Sequence, residues 1–288
     1  MKYSYIPGCS LLSTARGYDT SARAVVRELG AELVELEDWN CCGASAVESV
    51  SHLLSLALPA RNLALAEPAN RDLVTSCSSC FLNHLRVNHR LQGEPALKEK
   101  LNEVLASAGL RYTGQCRVRH LLDVIATDLG VNAVAGSVKT KLSGLKVVPY
   151  YGCQIARTYE AYGGPDLSAS MDRLIEAVGA ELIPYPWNTR CCGGVLMTTE
   201  KDVGLKLVAE LLAAARGADC IVTVCPMCHM NLDAYQGDTS VRSGVQSRIP
   251  VLFLTQLIGL AFSLPEKDLL LSQSIVPVQG LLHRLGRD

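Results

Sequence analysis

Short runs of β-branched and apolar residues alternate along the chain with longer stretches whose apolar side chains recur at helical spacing. The first run, Lys2-Tyr3-Ser4-Tyr5-Ile6, closes on Pro7-Gly8 and reads as a strand. A helix is expected over residues 20–29, ended by Gly30 as a C-cap, and a second strand over 32–36. Ala- and Leu-rich helical sequence covers 47–67, with a break expected at Pro59. A third strand around Leu73-Val74-Thr75 leads into a new helix, and residues 118–122 form a late strand that turns helical. The same order then returns. A strand precedes residue 153, a helix is expected over 167–178, a strand over 181–185, a helix over 201–216 and a strand-helix pair over 251–255.

The recurrence extends to residue identity. Pro7-Gly8-Cys9 is matched by Tyr151-Gly152-Cys153, and Gly30-Ala31-Glu32-Leu33 by Gly179-Ala180-Glu181-Leu182. Cys41-Cys42-Gly43 returns as Cys191-Cys192-Gly193, and Cys77-Ser78-Ser79-Cys80 as Cys225-Pro226-Met227-Cys228. Four matches in one order are an internal duplication. Strands alternating with helices predict an α/β fold of two tandem domains, each a small parallel sheet flanked by helices. The cysteine motifs fall at strand C-terminal ends, where such sheets carry their chemistry. The domains are expected at 1–140 and 145–288, divided within a Gly/Ser/Lys-rich connector over 137–146.

Composition narrows the function. Of the 288 residues 49% are hydrophobic and 19% charged, which excludes a disordered scaffold. A net charge of -1 gives no footprint for nucleic acid, and 5% aromatics argue against base stacking. No Gly-x-Gly-x-x-Gly or Walker loop is present. No transmembrane segment is expected. Residues 249–265 lack charge but fall short of a span and read as a buried strand followed by a helix, while the charge-free 269–282 is a candidate surface for a partner subunit or a membrane face. No export signal is visible at the N-terminus, so a cytoplasmic protein is expected, at the membrane only through partners.

Twelve cysteines in a reducing compartment point to metal or redox chemistry. Ten fall into two sets, Cys9, Cys41, Cys42, Cys77 and Cys80, then Cys153, Cys191, Cys192, Cys225 and Cys228. Cys116 and Cys220 stand outside and read as buried structural thiols. Zinc saturates with about four thiolates and would leave a fifth idle in each set. A polynuclear cluster presents several irons, which a vicinal pair and a Cys-x-x-Cys could reach separately, and the Gly after each doublet relaxes the turn. Spacing alone stops at two polythiolate metal sites.

The full pattern, and Cys225-Pro226-Met227-Cys228-His229-Met230-Asn231-Leu232-Asp233 above all, resembles the CCG-domain proteins and specifically the B subunit of heterodisulfide reductase. The resemblance implies a noncubane [4Fe-4S] cluster on each set: Cys9, Cys41, Cys42, Cys77 and Cys80 for the first, Cys153, Cys191, Cys192, Cys225 and Cys228 for the second. Zinc in one domain is the alternative. It also implies an iron-sulfur partner protein, a flavin-containing partner that feeds it, and a small-molecule or protein-borne disulfide as substrate. The competing reading is an electron-relay or anchor component of a succinate, fumarate or glycolate oxidoreductase delivering electrons to quinone. His229, Arg190, Arg16, Arg157 and His120 are the polar candidates for anion binding or cluster tuning. His84 and His89, five residues apart, do not share a helix face and are not taken as ligands.

Overall fold

The computed structural model describes residues 1–44, 46–243 and 248–287. Eight short strands form two sheets: β1 Lys2–Ile6, β2 Glu32–Glu35, β3 Leu73–Thr75 and β4 Val118–His120, then β5 Lys146–Tyr150, β6 Glu181–Leu182, β7 Cys220–Thr223 and β8 Val251–Phe253. Their orders are β2-β1-β3-β4 and β6-β5-β7-β8, with every pairing parallel. The duplication read from the residues is therefore a duplication of topology. Tyr3, Ser4, Tyr5 and Ile6 are all buried, as strands covered by helices on both faces require.

Several elements depart from the sequence reading. The helical stretch over 47–67 breaks at Ser51 and not at Pro59, giving helices Ala46–Val50 and His52–Ala66. Ser51 Oγ accepts the Leu54 N–H at 3.2 Å and so caps the second helix, which carries Pro59 inside it. The strand expected over 181–185 shrinks to Glu181–Leu182, and the helix over 167–178 to Ser170–Ala177. Residues 153–162 form an additional helix, Cys153–Tyr162.

The halves pack helix against helix. Helix Arg16–Glu28 of the first half packs on helix Leu254–Ala261 of the second, where Ser21 Oγ and Thr255 Oγ1 lie 2.6 Å apart. Helix Ser170–Ala177 packs in return on the helical run after β4. Every residue of Leu254–Ala261 is buried, so the helix at the heart of the apolar stretch over 249–265 faces protein on all sides. One hydrophobic core runs through both halves, joining Val25, Leu121 and Ile125 to Met171, Leu174 and Leu257. The connector hangs on the same buried helix, with the Lys139 and Thr140 amides both donating to the Ala261 carbonyl. Among the described residues no helix is long and apolar enough to cross a membrane.

Two candidate metal centres

In each half the cysteines arrive from three strand ends. β1 and β5 lead directly to Cys9 and Cys153, and the loops after β2 and β6 carry the doublets. β3 and β7 deliver Cys77 and Cys225 as the caps of helices Ser78–Gly93 and Pro226–Ala234. Cys80 and Cys228 thus sit in a first helical turn, where unpaired N–H groups and the helix dipole favour thiolate. The doublet turns are held open by positive φ at Gly43 and Ala44, and at Gly193 and Gly194.

The thiols of each set are brought together. Cys41 Sγ lies 3.8 Å from Cys9 Sγ, and Cys42 hydrogen-bonds both Cys41 and Cys80, with Cys77 next to Cys80. In the second set Cys153 bonds Cys191, while Cys192 Sγ lies 3.6 Å from Cys228 Sγ, which bonds Cys225. The doublet therefore straddles each site: its first cysteine meets the leading one, its second meets the Cys-x-x-Cys. Hydrogen bonds donated by neighbouring thiols lower the Cys42 and Cys191 thiols and raise their partners. Among the described residues no three His, Cys, Asp or Glu side chains converge on a point that would hold a single metal ion. The thiols of each set meet in successive pairwise contacts.

In both sites a Cys-x-x-Cys sulfur packs directly against glycine backbone. A Cβ on Gly8 would fall 3.1 Å from Cys80 Sγ, and one on Gly152 2.9 Å from Cys228 Sγ. Ten soft thiol donors in two equivalent cradles fit iron-sulfur chemistry. A further polar atom stands ready in the second half. Thr75 Oγ1 accepts the Cys77 N–H at 3.1 Å, whereas its counterpart Thr223 Oγ1 is buried without a partner. Access differs around each set. Cys9 and Cys41 are exposed and Cys153 and Cys191 half-buried, while the remaining three in each set are buried.

Two supporting residues were missed in the sequence. Asn83 Nδ2 donates to the Ala44 carbonyl at 2.9 Å and to Cys42 Sγ at 3.5 Å. Asn231 Nδ2 donates to the Gly194 carbonyl at 3.1 Å and to Cys192 Sγ at 3.7 Å. Each holds a doublet turn from the adjacent helix. The signal was available, because Cys-x-x-Cys-x-x-Asn occurs in both halves.

The polar candidates divide. Arg157 is exposed and its charge acts on both Cys153 and Cys191. Arg190 pairs with Glu210 and lies over Trp187, and Arg16 is exposed at the start of its helix. His229 stacks on Phe253 at 4.1 Å and meets the Val251 carbonyl at 3.0 Å. His84 is buried between the Cys80 carbonyl and the Asn62 side chain. Cys116 and Cys220 are buried away from both sets, and burial pushes the Cys116 thiol up to about 12.

The two centres meet across the interface through their buried ends. Ser78 Oγ, next to Cys77, donates to the Val224 carbonyl, next to Cys225, at 3.1 Å. Tyr18 also donates to that carbonyl, at 3.4 Å, and stacks on Phe253 at 4.3 Å.

A duplicated α/β scaffold with a five-thiol centre at the tip of each sheet defines a class of redox protein. Residues 3–84 and 147–233 match the cysteine-rich domain family, CCG, and the chain belongs to that family. It is 36% identical to the 8-methylmenaquinol:fumarate reductase membrane anchor subunit of Wolinella succinogenes, over 97% of this chain and 99% of that one. It is 34% identical to a protein of Archaeoglobus profundus described as like the B subunit of heterodisulfide reductase, covering 93% of each. The B subunit of the ferredoxin/F(420)H(2)-dependent CoB-CoM heterodisulfide reductase of Methanosarcina acetivorans is 30% identical over 96% of this chain and 94% of its own. A crystal structure of a hypothetical protein from Helicobacter pylori shares the fold, with a TM-score of 0.77 and 17% identity. That match takes in 96% of this chain and 52% of the other. The family and these relatives make the chain an iron-sulfur oxidoreductase component working in electron transfer.

Proposed function

We propose that the chain is the catalytic iron-sulfur component of a heterodisulfide reductase-like complex. The observation that carries this is the pairing of two complete five-cysteine sets whose buried ends touch across one interface. The set in each half, Cys9, Cys41, Cys42, Cys77 and Cys80, and Cys153, Cys191, Cys192, Cys225 and Cys228, would hold one noncubane [4Fe-4S] cluster, in units corresponding to residues 1–140 and 145–288. Splitting a disulfide takes two electrons and two protons and yields two thiols, and such clusters, when bound, each supply one electron. The chain's own residues do the rest. Asn83 and Asn231 fix the doublets, and the more open Cys9/Cys41 and Cys153/Cys191 edges leave each site approachable. Arg157 sets a positive charge beside the second open edge, where an anionic substrate end would be held. Electrons would arrive from an iron-sulfur partner fed in turn by a flavin-containing one, so the isolated chain should show no turnover with NADH. The substrate is a small-molecule or protein-borne disulfide.

Anaerobic purification with assay of iron, acid-labile sulfide and zinc is the first test. About eight irons with matching sulfide are expected. Chemically reduced chain should then convert an added disulfide to two thiols per turnover while its clusters reoxidise. Iron near four with zinc in the other half would leave a single redox site and contradict the paired-cluster reading.

The similarity to the Wolinella anchor protein favours a second reading, electron relay to quinone. The stretch over 249–265 offers it no anchor, since β8 and helix Leu254–Ala261 are internal. Reduction of a quinone by the reduced chain, with no thiol released from disulfides, would place the relay reading ahead.

A further inference from the structure

The two centres match in their cysteines but not in what lies between them. The first Cys-x-x-Cys encloses Ser78-Ser79, the second Pro226-Met227. Ser78 is fully buried and its hydroxyl crosses into the second half, donating to the Val224 carbonyl at 3.1 Å with the Cys225 thiol in hydrogen-bonding reach. His120 Nε2 lies 3.5 Å behind it. His120 Nδ1 accepts the Leu122 N–H at 3.1 Å, so the ring proton sits on Nε2, which faces the Ser76 and Val224 carbonyls as well as Ser78 Oγ. The single Ser78 proton faces the second half, on the Val224 carbonyl. Pro226, at the matching position, has no hydroxyl to return to Cys77.

We propose that Ser78 is a positioning residue for the opposite centre, its hydroxyl turning from the Val224 carbonyl to the Cys225 sulfur once that sulfur is a metal-bound thiolate. The inference rests on the iron-sulfur reading above. A hydrogen bond to a ligand sulfur stabilises the more negative, reduced state and raises the potential. The second centre is therefore the more easily reduced, and the chain's two electrons are held unequally, the first of them on the second centre.

Redox titration of the cluster-loaded chain, followed by electron paramagnetic resonance, tests this. Asn231→Ala and Asn83→Ala each disturb one doublet and so identify which signal belongs to which centre. In the unmodified chain the Asn231-sensitive signal should titrate above the Asn83-sensitive one. Ser78→Ala should lower the Asn231-sensitive midpoint by on the order of tenfold in the one-electron equilibrium, about 59 mV, and leave the other in place. Ser78→Thr, which keeps the hydroxyl, should retain the original gap. A shift confined to the Asn83-sensitive signal would mark Ser78 as a local support of its own loop and overturn the proposal. So would two equal midpoints in the unmodified chain. An unmodified chain that binds no iron would instead sink the reading beneath it.

Discussion

At the scale of single residues, the centres depend on what the cysteines' neighbours omit. Gly152 holds φ +76° and ψ +165°, a region open essentially to glycine alone. A methyl there would also meet Cys228 Sγ at 2.9 Å. Gly152→Ala should therefore empty the second centre and spare the first, lowering iron per chain by about half, as metal analysis of the purified variant will show. The cysteines themselves were legible because ten of them repeat in order. Asn83 and Asn231 were legible in principle, by the same repetition, but an isolated Asn three residues past a ligand carries no chemical signature. Ser78 was not legible at all. Its importance comes from Val224, which is distant in sequence and adjacent only after folding.

At the scale of elements, β4 and the helical run behind it show how a strand end is secured. Arg119 is 3% exposed and pairs with Asp123, equally buried, with Asp72 at 3.1 Å and with Asp128 at 3.1 Å. Arg119→Met would strand the Asp123 charge, and a loss of roughly 3–5 kcal/mol is expected in urea unfolding. The next residue along links the same element to acid stability. Burial holds the His120 imidazole down from 6.5 to about 4, so the fold keeps it neutral. The unfolded chain takes up that proton as pH falls through about 6.5, which favours unfolding. Stability from this group is complete above that pH and declines towards pH 4, and buried His84 and His229, also held below their ordinary value, act in the same direction. The urea midpoint should fall between pH 7 and pH 5, and His120→Gln should flatten the slope. Most strand and helix types were readable from periodicity, though helix Cys153–Tyr162 was not. Their limits were not, because Ser51 ends one helix and caps the next with a side-chain hydrogen bond that hydrophobic pattern does not register.

For the whole molecule, the sequence announced two domains and the structure joins them through one core. Apolar spacing on helix Arg16–Glu28 says that a face is buried. It does not say that Leu254–Ala261, from the other half, covers it. Leu257→Ala, in that fully buried helix, should cost about 2–5 kcal/mol and lower a single unfolding transition in calorimetry rather than splitting it in two.

The packing of helices across the halves also sets an order of events during synthesis. The cysteines of the first centre leave the ribosome early, between residues 9 and 80, yet the surface that shelters their interface side lies in residues 224 to 261. A nascent first half would hold its thiols in a pocket still missing one wall. On the two-cluster reading proposed above, loading is expected only on a nearly completed chain, and a truncated first half purified without oxygen should hold less iron than the same half within the full chain.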